Sequence, residues 1–174
     1  LSKTGSFSNA AKQIVGSCFG IGWSPVAPGT VASAAVLPLA WLAYTTGGAA
    51  AVTVLFVATT WACAWSADAV EKAYGKDPQH FVMDEWAGQL LPIAGFAWGF
   101  EWGWWTTSPM SIWLLGYAFI GFRVFDIWKP GIIGTIQDKP GVIGLTGDDI
   151  IAGLFTLLSG IIVILGVNHV LSMA

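Results

Sequence analysis

"AAAVTVLFVATTWACAWSA", residues 49–67, runs nineteen residues without a charge. A helix of that length spans about 28 Å, close to the hydrocarbon thickness of a bilayer. Outward from it the chain repeats the theme. "VASAAVLPLAWLAYTT" (31–46) precedes it across the pair Gly47–Gly48, and 87–100 follows, apolar apart from Gln89. Residues 110–122 are uncharged, and 150–173 are broken only by Asn168 and His169. The second and fifth segments are long enough to cross a membrane; the first, third and fourth need flanking residues to extend them. No period-2 strand pattern and no internal repeat is present. The fold expected is all-α: a polytopic helical membrane bundle of four to five transmembrane or re-entrant helices, one domain over residues 1–174, with an active site at the interface.

Composition agrees. The 174 residues are 55% hydrophobic and 10% charged, with eleven tryptophans and a mean hydropathy of +0.69; soluble domains carry about 25% charged residues. Trp102, Trp104 and Trp105, between the third and fourth segments, suit an interfacial aromatic belt. The net charge of -3 and the lack of a basic-aromatic stripe exclude a nucleic-acid partner. Cys18 and Cys63 have no metal or redox spacing and read as small core residues. Residues 1–17 lack the layout of a signal peptide.

Five spans place all seven basic residues on one side: Lys3, Lys12, Lys72, Lys76, Arg123, Lys129 and Lys139. The positive-inside rule makes that side the cytoplasm. The polar stretches "SPVAPGT" (24–30), "DPQHFVMDE" (77–85), "RVFDIWKP" (123–130) and "TGDD" (146–149) fall there too. Four separated pieces of chain converge on one face, as a site requires.

Asp84 and Glu85 open the third segment and Asp148 and Asp149 the fifth. Either pair alone also suits the positive end of a helix dipole, with Asp148 as an N-cap and Asp149 in the first turn. Together with Asp126, five carboxylates on one face repel unless a cation holds them. Oxygen donors without His or Cys suit a hard ion, Mg²⁺ first. Arg123, Asp126 and Lys129 stand at i, i+3, i+6 before Pro130, which ends the helix at Lys129. Two intrahelical ion pairs would explain that spacing. Arg and Lys beside carboxylates and a metal also read as phosphate ligands. Pro28 and Gly29 form a turn, and Thr30 either caps the first segment or helps its amides cradle a phosphate. No GxxxxGK[ST] loop exists.

"GWSPVAPGTVAS", "FVMDEWAGQ", "FRVFDIWKP" and "GDDIIAG", in this order, resemble the phosphatidylglycerophosphatase A family. The chain departs from the family pattern at "KPGII", where Ile132 replaces a second proline, at "GVIGLTG", and at Asp138–Lys139. The resemblance implies a Mg²⁺-dependent phosphoric monoester hydrolase of the bacterial inner membrane, its site facing the cytoplasm. Such an enzyme converts phosphatidylglycerophosphate to phosphatidylglycerol and phosphate, with membrane lipids as its surroundings. Asp84, Glu85, Asp148 and Asp149 are then expected to hold one or two Mg²⁺. Asp84, Asp126, Arg123 and Lys129 are the catalytic set expected, with Asp126 a further metal ligand or the residue that orients the attacking water, and Gly29, Thr30, Arg123 and Lys129 are expected to bind substrate. A water activated by the metal is the favoured nucleophile, with an aspartyl route through Asp126 or Asp84 as the alternative. His80 is a candidate proton carrier or a surface residue; His169 falls on the opposite side. An ion or solute transporter and a non-catalytic membrane subunit are the competing classes. The DGxxAR-type motif of lipid-alcohol phosphotransferases is missing.

Overall fold

The computed structural model describes residues 3–75, 78–139 and 141–173. Lys76, Asp77 and the side chain of Lys3, which enter the charge pattern above, lie outside the described residues. The chain forms α1 (Lys3–Gly16), a short 3-10 turn (Ile21–Trp23), α2 (Pro28–Tyr74), α3 (Met83–Glu101), α4 (Ile112–Trp128), α5 (Ile132–Gln137) and α6 (Val142–Ser172), with no strand among the described residues. Two of these helices, α2 and α6, are long and apolar enough to cross a membrane. α3 carries Asp84, Glu85 and Gln89 in its first two turns and α4 has 17 residues; neither meets that measure.

α2 is two limbs, 28–46 and 49–74, because Gly47 and Gly48 leave helical geometry. Gly48 sits at φ +63°, ψ -155°, which glycine alone adopts without strain. The reversal is tied down by α3: Glu101 Oε1 accepts the Ala49 N–H at 2.7 Å. At the other end of α3, Gly29 abuts Glu85. The first limb therefore runs the length of α3, about 28 Å, and the second returns. Thr53 meets Trp98 Nε1 at 2.9 Å near the far end, and the Tyr74 ring lies 4.2 Å from His80 just before α3 begins. The Gly47–Gly48 pair thus forms a tight hairpin between the two limbs.

α3 is the central post. It packs against α2 on one side and α6 on the other, while α4 leans on α6. Its residues Ala87, Leu90, Ile93, Phe96 and Ala97 are at most 1% exposed. Two small residues set the closest crossing: a Cβ on Gly153 of α6 would strike the Gly88 carbonyl of α3, the close backbone approach that small residues permit. α4 runs opposite to α6, with Tyr117 O–H donating to Ser159 Oγ at 2.8 Å and Lys129 reaching Asp148 at 2.6 Å. The perimeter is apolar: Trp61, Val54, Ile120, Ile162 and Val163 are all exposed. So continuous an apolar exterior has no place in water and suits lipid.

Some expectations change. Trp102 and Trp104 are exposed, but Trp105 is 4% exposed and donates its Nε1–H to the Phe96 carbonyl at 3.2 Å. It is a core residue, because Gly99 leaves room for its ring. Thr30 is not an N-cap: α2 starts at Pro28, and Ala27 caps it in a left-handed conformation. Asp148 and Asp149 do not cap α6, which begins two turns earlier at Val142. The segment "VIGLTG" is held helical by packing, with Leu145 and Thr146 buried and Gly144 pressed on the Lys139 carbonyl; tertiary contact overrides weak propensity. Cys18 and Cys63 are buried free thiols, as expected, and burial pushes the Cys18 thiol well up, so it stays protonated.

Candidate functional site

The site lies where α2 and α6 start and α4 stops. Asp84 and Glu85 occupy the first turn of α3, and the left-handed Lys129 ends α4 where Pro130 forbids its continuation. Each polar motif is thus delivered by a helix end, except the α6 doublet, which projects from two turns inside.

Glu85, Asp126 and Asp149 each offer one carboxylate oxygen, and the three lie within 4.8 Å of one another. They come from α3, α4 and α6, so no short sequence window contains the cluster. Asp126 and Asp149 are 7% and 4% exposed. Asp84 is also buried; its Oδ1 accepts the Glu85 N–H at 3.0 Å, and it feels the charges of Glu85, Asp148 and Asp126. The acidic doublets of α3 and α6, 64 residues apart in numbering, thus share one site.

Two cations answer these five carboxyls. Arg123 Nη1 pairs with Glu85 Oε2 and lies 2.9 Å from Asp126 Oδ2. Lys129 Nζ is 2.6 Å from Asp148 Oδ2 and 3.9 Å from Asp126 Oδ1. The intrahelical pairs suggested by the spacing therefore exist, but each cation also bridges to another helix. Asp84 and Asp149 have no cation within ion-pair distance among the described residues. The excess is three negative charges if all are ionised. At 4.8 Å, the widest separation among the Glu85, Asp126 and Asp149 oxygens, and an effective dielectric of ~20, each ionised pair of them costs at least about 3.5 kcal/mol. A divalent cation offsets that cost, and an all-oxygen donor set fits a hard one. The guanidinium also keeps a donor in reserve, since Arg123 Nε is buried without a protein acceptor.

The structure adds Ser33, which the sequence reading passed over. Its hydroxyl lies 2.9 Å from the Gly29 carbonyl, 3.2 Å from Glu85 Oε2 and 3.5 Å from Arg123 Nη1. It fastens the first turn of α2 to the Glu85–Arg123 pair. The signal was present: Ser33 stands four residues after Gly29, on the same helix face. Gly29 itself is required by contact, because a Cβ there would collide with the Glu85 carboxyl. Gln89, one turn beyond Glu85, is fully buried and neither amide atom has a partner. Sequence reading noted it only as an interruption.

Beside the cluster opens a chamber of about 640 Å³ whose wall includes Trp23, Gly29, Thr30, His80, Glu85 and Arg123. The N–H groups of Gly29 and Thr30, in the first helical turn, have no intrahelical acceptor and suit an anion. His80 is wedged in place, stacked on Trp23 at 4.4 Å and met edge-on by Tyr74. Burial lowers its pKa, which favours the neutral imidazole. His169 is twenty residues along α6 from Asp149, about 30 Å away.

Of the residues singled out in the sequence, Glu85, Asp126 and Asp149 stand in the three-oxygen cluster. Asp148 is instead engaged by Lys129, and Asp84 lies beside the cluster. Gly29, Thr30 and Arg123 reach the chamber.

No solved structure matches the chain. A Bacteroides thetaiotaomicron protein named "Putative phosphatidylinositol-3-phosphatase" is 33% identical over 155 residues, covering 83% of this chain and 88% of that protein. The family model for phosphatidylglycerophosphatase A matches residues 14–164, a span that contains every helix end contributing to the cluster. The chain belongs to the phosphatidylglycerophosphatase A family.

Proposed function

We propose that the protein is a Mg²⁺-dependent phosphatase that hydrolyses phosphatidylglycerophosphate to phosphatidylglycerol and phosphate at the cytoplasmic face of a bacterial inner membrane. The observation that carries this reading is the cluster of Glu85, Asp126 and Asp149 oxygens within 4.8 Å, whose Glu85 lines a polar chamber together with Arg123. Five antiparallel helical runs (the two limbs of α2, then α3, α4 and α6) supply the spans, in a catalytic unit covering 1–174. Arg123, Lys129, Lys139 and Lys72 stand at or near the site end, which supports a cytoplasmic orientation.

Phosphomonoester hydrolysis asks for in-line positioning and charge neutralisation more than covalent help. Glu85, Asp126 and Asp149 would hold Mg²⁺, with Asp84 beside them. When bound, the ion supplies Lewis-acid polarisation at the phosphoryl group. Arg123 binds phosphate oxygens and, through its pair with Asp126, fixes that carboxylate. The free amides of Gly29 and Thr30 take a further oxygen. Lys129, anchored on Asp148, adds positive charge at the rim. Water attacks phosphorus, the bond to the glycerol oxygen breaks, and that oxygen leaves with a proton as the lipid alcohol. Ser33 positions Arg123 and Glu85.

The test is phosphate release in detergent from phosphatidylglycerophosphate, phosphatidylinositol 3-phosphate and a soluble phosphomonoester, with Mg²⁺ or EDTA. Fastest release from the first, abolished by EDTA, is expected. Preference for the inositol lipid would move the substrate toward the one named for the Bacteroides relative. No release from any of them would overturn the reading, and solute flux in vesicles without phosphate release would put a transporter in its place.

A further inference from the structure

A second, apolar cavity adjoins the polar chamber. It is a trough of about 450 Å³ on the outer face of α4, lined by Phe119, Ile120, Val124, Ile127 and Trp128, with Thr30 and Arg123 at its edge. Thr30, Arg123 and Ile127 line both spaces, so trough and chamber meet at these three residues. Ile120, Val124 and Ile127 follow i, i+4, i+7 and form one helical stripe. They are 63%, 49% and 70% exposed. The opposite face of α4, with Ala118, Phe122 and Asp126, is buried toward α6. From Ile127 to Phe119 the stripe extends about 12 Å along the helix.

We infer that this trough holds one acyl chain of the lipid substrate, and that the substrate enters the chamber sideways from the bilayer between the first turn of α2 and the last two turns of α4. The inference rests on the proposed lipid phosphatase activity and assigns the site a side from which it is loaded. The two cavities differ in chemistry as the two ends of a lipid monophosphate do. An anionic headgroup needs the chamber with its amides and Arg123, and a hydrocarbon chain needs a wall without donors. Arg123 stands where the two meet, so a phosphate drawn toward it leaves its tail over Ile127 and Val124. A soluble phosphomonoester would have no use for the trough. A chain leaving lipid for the trough exchanges one apolar medium for another, so little affinity is gained. The trough contributes orientation, by fixing the tail while the phosphate approaches the cluster.

The experiment compares turnover on dioleoyl and dibutyryl phosphatidylglycerophosphate, which share a headgroup and differ in tail. Ile120→Trp and Val124→Trp fill the trough from exposed helix positions. Ile162→Trp, on the exposed face of α6 toward its far end, controls for bulk on a lipid-facing surface. The dioleoyl-to-dibutyryl ratio is expected to fall about tenfold in the two trough variants, as a misplaced reactant does, and to hold in the α6 variant. An unchanged ratio in the trough variants, or an equal fall in all three, overturns the inference while leaving the phosphatase reading standing. A wild-type protein that releases phosphate from neither lipid overturns both. A wild-type dimer in detergent that Val124→Trp converts to an active monomer with an unchanged ratio would assign the trough to a second copy of the chain and overturn its role as a tail site.

Discussion

Replacing Asp149 by Asn should make the protein more stable and inactive at once. Asp149 is 4% exposed, and no Lys or Arg lies within ion-pair distance of it among the described residues. The near-isosteric Asn therefore removes a charge without orphaning a cation. Asp149 faces Glu85 and Asp126 with oxygens within 4.8 Å, and each ionised pair costs about 3.5 kcal/mol at an effective dielectric of ~20. Two such pairs disappear. Relaxation and partial solvation reduce the gain to roughly 1–2 kcal/mol in the metal-free protein, a rise of about 2–8 °C in melting temperature at this chain length. With Mg²⁺ the order reverses. A cation at about a hundred times its dissociation constant stabilises the wild type by ~2.7 kcal/mol, and the variant, short of one ligand, loses most of this. The assay is thermal unfolding of both proteins in one detergent, in EDTA and across a Mg²⁺ titration, alongside phosphate release. Crossing curves are expected: D149N above wild type in EDTA, below it in saturating Mg²⁺, with release abolished. A variant that melts lower in EDTA and shifts with Mg²⁺ as far as wild type would refute the assignment of Asp149 to a repulsive, cation-held cluster.

Two further outcomes test other parts of the structure. Lys129→Met leaves the buried Asp148 without its partner at 2.6 Å, and should cost about 3 kcal/mol in denaturant unfolding; adding Asp148→Asn should recover most of it, whereas additive losses would mean the pair is not coupled. Gly48→Ala imposes a Cβ at φ +63° and against the Glu101 carboxyl, costing about 1–3 kcal/mol. It should lower the melting temperature with no change in the Mg²⁺ concentration giving half-maximal activity, because the reversal lies at the opposite end of α3; a weakened Mg²⁺ dependence would show that the hairpin and the cluster are coupled.

Much of this fold is visible in one dimension because its causes are local. An uncharged run of nineteen residues, a Gly–Gly pair and a Lys–Pro stop each act through a few neighbours, so the hairpin of α2 and the end of α4 fall where the sequence puts them. The start of α6 has a non-local cause. "VIGLTG" has two further glycines and a threonine before the acids, a poor helix by propensity. It is helical because Leu145 and Thr146 are enclosed, with the Thr146 hydroxyl 2.8 Å from Cys63 Sγ on the second limb of α2. The short α1 and α5 escaped notice because neither is a bilayer-length apolar run.

The same distinction governs the acids. Sequence grouped them as doublets, since adjacency is all a sequence can display. In a helix, adjacent residues point about 100° apart, so a doublet spreads its members over two directions. Asp149 turns to the cluster while Asp148 turns to Lys129. Glu85 reaches Arg123 and Ser33 while Asp84 folds its carboxyl back to its own helix start. What assembles the three-oxygen site is one member of each doublet plus Asp126, which Arg123 and Lys129 flank three residues away on either side. The i, i+3, i+6 ridge of α4 thus aims a carboxylate at the cluster and surrounds it with the two cations that make its burial tolerable. One charge ridge on one helix supplies both the third oxygen and the guanidinium proposed to bind phosphate, which is why so charge-poor a chain places three charges there.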